Sequence, residues 1–223
     1  MKIKSFFLIL PLLLHSFKTI SQVRSNALPN SFKIVGYYFL YTAVRDTIHA
    51  DSTYQFLNKI THLNIAFINP DSAGNFRNDL AIDTLIKKAH QKNVKVLASL
   101  GGGSAHPYFA ALLDNKNRKM FIDNLVSMVK KYDLDGVDVD IEEDDIDGNY
   151  TKFVMGLAAA LKPEKKLITA AIATAYKDQL PDKALKQFDF VNIMSYDNTG
   201  PWRPQDPGDP SPYSMAVDDL DYW

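Results

Sequence analysis

Short runs rich in β-branched and aromatic residues recur along this chain, each followed by a polar loop and then by a stretch with helical spacing. That alternation constrains the fold more than any other feature. A chain that must return to the start of the next strand crosses over the sheet, usually as a helix, and so lays its strands parallel. Six runs read as strands, beginning at Phe32, Ile60, Val94, Asp135, Leu167 and Phe188. The clearest helical pattern covers 116–131, where Phe121, Leu125 and Val129 recur every four residues beside Ile122 and Val126. Asp114 is placed to cap it. A second pattern covers 149–161, alanine-rich and stopped by Pro163. Shorter ones fit 52–58, 80–90 and 182–187, and 213–223 reads as the approach to a sixth helix. An open doubly wound α/β sheet and an eight-stranded barrel both accommodate this pattern.

With 223 residues, 46% of them hydrophobic, the chain can bury the core of one domain. A formal net charge of -1 gives no reason to expect nucleic acid or an anionic membrane as partner. The absence of cysteine removes disulfides, thiolate metal sites and cysteine nucleophiles together. Lys2 and Lys4 precede the apolar run 6–14, and small residues follow at Thr19 and Ser21. The run is too short to span a bilayer and has the flanks of a secretory signal peptide, with cleavage expected after Ser21. Residues 22–31 then read as a linker and 32–223 as the folded domain.

The richest stretch is Asp135-Gly136-Val137-Asp138-Val139-Asp140-Ile141-Glu142. Side chains alternate faces along a strand, so Asp138, Asp140 and Glu142 share one face and Val137, Val139 and Ile141 the other. Acids on the inner face of a buried strand are costly, and at about 6–7 Å spacing they raise one another's proton affinity. Glu142, nearest the C-terminal end of the strand, stands where parallel α/β folds build their sites, and a carboxyl kept protonated can donate to a leaving oxygen. A solvated acidic edge would carry polar residues on both faces, whereas the opposite face is aliphatic. A calcium loop of EF-hand type would take Asp133, Asp135, Gly136 and Glu142 as ligand and turn positions, but Lys131 stands at the first ligand and Asp138 at the apolar position. No metal site is expected. Gly101-Gly102-Gly103 does not complete a dinucleotide-binding motif, because His106 stands where the last glycine belongs.

The run 135–142 resembles the DxxDxDxE signature of glycoside hydrolase family 18, the chitinases and endo-β-N-acetylglucosaminidases. Ser99-Leu100-Gly101-Gly102 is similar to that family's SxGG, Gly36-Tyr37-Tyr38 to its first strand, Asn64-Ile65-Ala66-Phe67 to its second, and Met194-Ser195-Tyr196-Asp197 to its MxYD. The resemblance implies a TIM (β/α)8 barrel, of which the first six βα units are present. It implies a retaining, substrate-assisted hydrolase of β-1,4-linked N-acetylglucosamine. In that reading Glu142 is general acid and base, Asp140 orients the acetamido group, Asp138 shares a proton with Asp140, and Tyr196, expected to be a buried phenol, holds the acetamido oxygen. Tyr37 and Ser99 support the acid row. Asp197 positions the sugar, Met194 shapes the pocket floor, and Phe67, Gly101 and Gly102 line the groove.

The resemblance calls for no cofactor, and a chitin-type glycan is the partner it implies, bound by a monomer. Two alternatives stay open: a non-catalytic glycan-binding protein on the same scaffold, or an endo-β-N-acetylglucosaminidase acting on glycoprotein or cell-wall glycans. Two features depart from the family pattern. Strands seven and eight and the family's late tryptophan are not found, Trp202 and Trp223 lying too early, so the chain is expected to be a partial barrel. Glu143-Asp144-Asp145 also stands where many members carry an aromatic residue and a proline.

Overall fold

The computed structural model describes residues 32–41, 51–78, 80–103, 106–142 and 146–223. The signal peptide and the linker expected at 1–31 lie outside them, as do residues 143–145. Among the described residues no helix is long and apolar enough to cross a membrane.

Six parallel strands pair in the order of the chain: β1 (Val35–Phe39), β2 (His62–Ala66), β3 (Lys95–Gly101), β4 (Gly136–Asp140), β5 (Leu167–Ile172) and β6 (Phe190–Ile193). An open doubly wound sheet reverses direction partway, placing its first strand in the middle. No reversal occurs here, and the sheet curls into a half-barrel. The curl is read directly from contacts across the interior. Asn192 on β6 donates to the Tyr37 hydroxyl on β1 at 3.1 Å, and the rings of His62 on β2 and Phe190 on β6 meet edge-on at 5.1 Å.

The helices cover the outer face: α1 (Asp83–Gln91), α2 (Phe109–Leu113), α3 (Arg118–Lys131), α4 (Gly148–Leu161), α5 (Asp182–Leu185) and α6 (Tyr213–Tyr222). The outward residues Ile65, Val96, Ala98, Leu100, Val137, Val139, Ile168 and Ala170 form one cluster with Leu85, Leu125, Val129, Phe153 and Leu157 from the helices. Phe121 is central, stacked on Phe153 at 5.4 Å and on Phe76 at 6.2 Å. Each such side chain contributes about 1.5–3 kcal/mol on burial, so this layer sets the strand faces and turns the acids inward.

Several local expectations are corrected. Asp114 is not the cap of α3: the helix starts at Arg118 after Asn117, whose side chain makes no capping bond. Asp114 instead accepts through its backbone oxygen from the N–H groups of Asn117 and Arg118, closing a lead-in turn. Asp147 caps α4, accepting from the N–H groups of Asn149 and Tyr150. Pro163 does not end the chain's helical path at once but lies in a 3-10 turn, Lys162–Glu164, which tolerates it near its start. The pattern at 52–58 is a 3-10 helix, Asp51–Asn58. A further 3-10 helix, Thr174–Gln179, and the short α2 had no periodic signal long enough to read. β4 ends at Asp140, so Glu142 stands two residues past the strand, at the C-terminal edge of the sheet.

Candidate active site

The site is built on β4, the strand buried along its whole length. Asp138 is fully buried and Asp140 nearly so. In the sheet register Asp138 stands between Ser99 on β3 and Thr169 on β5. Neighbours on both sides therefore point hydroxyls at it. Thr169 donates to Asp138 Oδ1 at 2.5 Å and Ser99 to Oδ2 at 3.0 Å. Tyr37 reaches over from β1 and donates to Oδ2 at 2.8 Å. Asn192 on β6 lies 3.5 Å from Oδ1. Asn64 on β2 adds a buried amide to the same layer, near enough to Tyr37 and Asp138 to favour their charged forms, though its polar atoms make no well-formed hydrogen bond. Each of the other five strands thus sends one polar side chain toward the carboxylate on β4. Burial pushes the Asp138 carboxyl up, and the Thr169, Tyr37 and Ser99 donors pull it partway back.

Asp140 has a different environment. Burial, the charges of Glu142 and Asp138, and a hydrogen bond with Glu142 push its carboxyl up to about 8. Its Oδ1 atom is buried without a partner. Asp138 is thus surrounded by hydroxyl donors, whereas the hydrogen-bonding neighbour of Asp140 is another carboxyl, Glu142. The calcium-loop alternative does not match this arrangement. Asp135 lies on the other parity and is pinned at the base of the sheet, accepting from the Val96 N–H at 2.8 Å, Lys95 Nζ at 2.7 Å and His90 Nε2 at 2.9 Å.

The turn after β3 brings its backbone against this row. Gly101 and Gly102 adopt φ values of 111° and 92°, open to glycine and strained for other residues. A Cβ at Gly101 would meet the Asp140 carbonyl oxygen at 2.1 Å, and one at Gly102 the Phe67 ring at 2.5 Å. Gly102 N–H donates to the Asp140 carbonyl at 2.7 Å. Phe67, half-buried, is thereby wedged against the turn rather than lost in a core.

Tyr196 differs from expectation. It is 51% exposed, not a buried phenol, because β6 ends at Ile193 and the chain has already left the sheet. Burial of the remainder and the charges of Asp140, Glu142 and Asp197 push its hydroxyl up to about 12, so it stays protonated and faces the same carboxylates. Asp197 takes a left-handed backbone, φ 62°, turning the chain after it. Met194 is buried on the inward parity of β6.

Sequence reasoning missed Thr169 and Asn192. Each is a lone polar residue at an inward position of an apolar strand, a signal that was present but needed the register to interpret. It also missed the exposed aromatics at the strand ends. Phe39 and Tyr41 stack at 5.7 Å, and Phe39 meets Phe67 edge-on at 6.4 Å. With Leu40, Arg77 and Leu80 they line a cavity of about 580 Å³. Past β6, Trp202 is 60% exposed and lines a second cavity of about 420 Å³ together with Asp197. The first is lined at the C-terminal ends of β1 and β2, the second by the loop past β6.

The fold and the sequence have counterparts in known proteins. The crystal structure of the GH18 chitinase ChiB from the chitin utilization locus of Flavobacterium johnsoniae is 37% identical, with a TM-score of 0.78, and covers 86% of this chain and 62% of that one. A secreted chitinase, LysM12, of Penicillium expansum is 30% identical over 217 residues, 85% of this chain and 14% of that protein. A chitinase-like effector of Moniliophthora roreri is 28% identical over 166 residues, 65% of this chain and 41% of that protein. The chain thus spans less than two thirds of the length of each of these relatives. The sequence model of glycosyl hydrolases family 18 matches residues 33–223, and this chain belongs to that family.

Proposed function

We propose that this chain carries the acid side of a hydrolase of β-1,4-linked N-acetylglucosamine, chitin or its oligomers, acting by a retaining, substrate-assisted mechanism. The observation that carries the reading is the pairing of Asp140 with Glu142 above a saturated Asp138. A proton shared by that pair would sit at the C-terminal edge of the sheet, just past β4. Asp140 and Glu142 both rise from β4, on one side of the groove. A nucleophile is needed on the other side of the sugar ring, and a carboxylate from the same strand does not reach it. The substrate's own 2-acetamido oxygen can.

In the first step Glu142 gives its proton to the glycosidic oxygen as the acetamido oxygen bonds to the anomeric carbon and the leaving sugar departs. Asp140 accepts from the acetamido N–H and balances the positive charge that develops. Tyr196 donates a hydrogen bond to the acetamido oxygen, and Tyr37 and Ser99 hold Asp138 in place beside Asp140. In the second step Glu142 takes a proton from water as that water attacks the same carbon, which restores the configuration. Met194, Phe67, Gly101, Gly102 and Asp197 shape the pocket around the sugar. Phe39, Tyr41 and Trp202 offer apolar faces for neighbouring sugars. A signal peptide over 1–21, with the mature chain beginning at Gln22, would deliver the protein to an extracellular glycan.

Glu142→Gln keeps shape and removes the proton. Release of reducing ends from an N-acetylglucosamine oligomer should fall at least ~100-fold, the lower end of what a general acid supplies, with oligomer affinity retained. Turnover within a few-fold of the parent chain would refute the assignment. Oligomer binding with no release by the parent chain would favour a glycan-binding role.

A further inference from the structure

Asn192 lies on β6, which among the described residues pairs only with β5. Its side chain leaves that edge strand and crosses the interior to β1. Asn192 Nδ2 donates to the Tyr37 hydroxyl at 3.1 Å, and the same nitrogen lies 3.5 Å from Asp138 Oδ1. Tyr37 in turn donates to Asp138 Oδ2 at 2.8 Å. A phenol has one proton, and here the carboxyl receives it, so the group that meets the phenol oxygen from the other side must be a donor. The amide nitrogen supplies that donor. Turned over, the amide would set its oxygen against Asp138 Oδ1 and compete for the Tyr37 proton, so its orientation follows from its partners. Tyr37 is 40% exposed, and water can compete for its hydroxyl. Asn192 occupies the phenol oxygen and leaves the carboxyl as the target of the phenol proton.

We propose that Asn192 is a positioning residue for the reaction: it aims the Tyr37 hydroxyl at Asp138 and so sets the charge that Asp138 presents to Asp140. The proposal rests on the reading in which Asp140 meets the acetamido group and Glu142 is the acid. A donor bound to the phenol oxygen polarises the O–H and strengthens its donation onward. The Tyr37 bond favours the charged form of Asp138, and the Asp138 charge in turn pushes the Asp140 carboxyl up. Asn192 thus reaches Asp140 through two other side chains. The same contact is a clasp between β1 and β6, a structural role that would not by itself alter the carboxyls. The titratable groups around Tyr37 and Asp138 are Asp140 on the same strand, Tyr150 on α4 and Tyr196 past β6, with Glu142 acting on Asp140.

The test is a cycle of Asn192→Leu and Tyr37→Phe in the full chain, labelled with carboxyl-13C aspartate. Asn192→Leu keeps the branched shape and removes the donor. The Asp138 carboxyl resonance should then titrate at least about half a pH unit higher than in the parent chain, as expected for one weakened hydrogen bond. In the Tyr37→Phe background the same substitution should add less than half of that shift, because Asn192 acts through the phenol. Asn192→Ala carries the same comparison if urea unfolding shows that leucine unsettles the fold. An unmoved Asp138 resonance, or shifts that add in full across the cycle, would overturn the proposal. Lost stability with the resonance unmoved would also overturn it, leaving Asn192 as a clasp between β1 and β6. On an N-acetylglucosamine oligomer, kcat of Asn192→Leu should fall about three- to tenfold with KM within about twofold, and an unchanged kcat would count equally against it. If Glu142→Gln retains turnover while the resonance shifts as expected, the acid assignment fails and the Asn192–Tyr37–Asp138 chain stands. If Glu142→Gln abolishes turnover while the resonance stays put, the Asn192 role fails alone. If the parent chain binds the oligomer without turnover, the hydrolase reading fails and the resonances alone decide Asn192.

Discussion

Replacing Asp140 by asparagine should stabilise this fold, and the gain should grow with pH. Asp140 carries a carboxyl pushed from 3.8 up to about 8, first by burial and then by Glu142 and Asp138. At neutral pH the folded chain therefore holds a proton that the unfolded chain releases. A raised carboxyl favours the folded state fully below the unfolded value near 4, and that advantage is lost as pH rises through about 8. Each unit of difference corresponds to about 1.4 kcal/mol, so at pH 7 the ceiling is about 4 kcal/mol. Solvent screening at the edge of the sheet should bring the measured figure below this ceiling. Asparagine keeps the shape and a donor toward Glu142 and has nothing to ionise. Urea unfolding followed by circular dichroism at half-unit steps from pH 5 to 9 measures the difference between Asp140→Asn and the parent chain. The difference should rise through this window and level off above about pH 8. A difference independent of pH, or a variant less stable throughout, would refute the reasoning that this acid is strained by its burial and its neighbours.

Other perturbations test separate parts of the site. Thr169→Val removes the 2.5 Å donor to Asp138 without changing volume, and should cost about 1.5–3 kcal/mol in urea unfolding while Thr169→Ser restores most of it. Gly102→Ala drives a Cβ to 2.5 Å from the Phe67 ring at a positive φ; it should destabilise by at least about 2 kcal/mol, seen as a lower thermal midpoint. Trp202→Ala removes an exposed ring beside Asp197, and oligomer affinity measured by calorimetry should weaken about fivefold or more with the fold intact.

How much of this was legible beforehand varies residue by residue. The shared face of Asp138 and Asp140 followed from the two-residue period of a strand, because parity is a local property of the backbone; Glu142 stands past the end of that strand. The aliphatic parity of Val137, Val139 and Ile141 was equally local, and it forms the packed outer face. Thr169 and Asn192 were not legible. Their role depends on which strand lies beside β4 and which faces it across the interior, and nothing within either segment encodes that. Tyr196 was misjudged for the same reason: its exposure depends on where β6 stops pairing.

What the amino-acid sequence determined by itself was the succession of parallel strands and helices, and the face on which the acids stand. Both arise from short-range periodicity acting on every turn of the chain. The residue pattern left barrel and open sheet both open until the family resemblance pointed to the barrel; the tertiary structure alone decided the convergence of five strands on the Asp138 of the sixth, and the pairing of Asp140 with Glu142. Those are set by register and curl, which come from hydrogen bonds and packing between segments tens to more than a hundred residues apart.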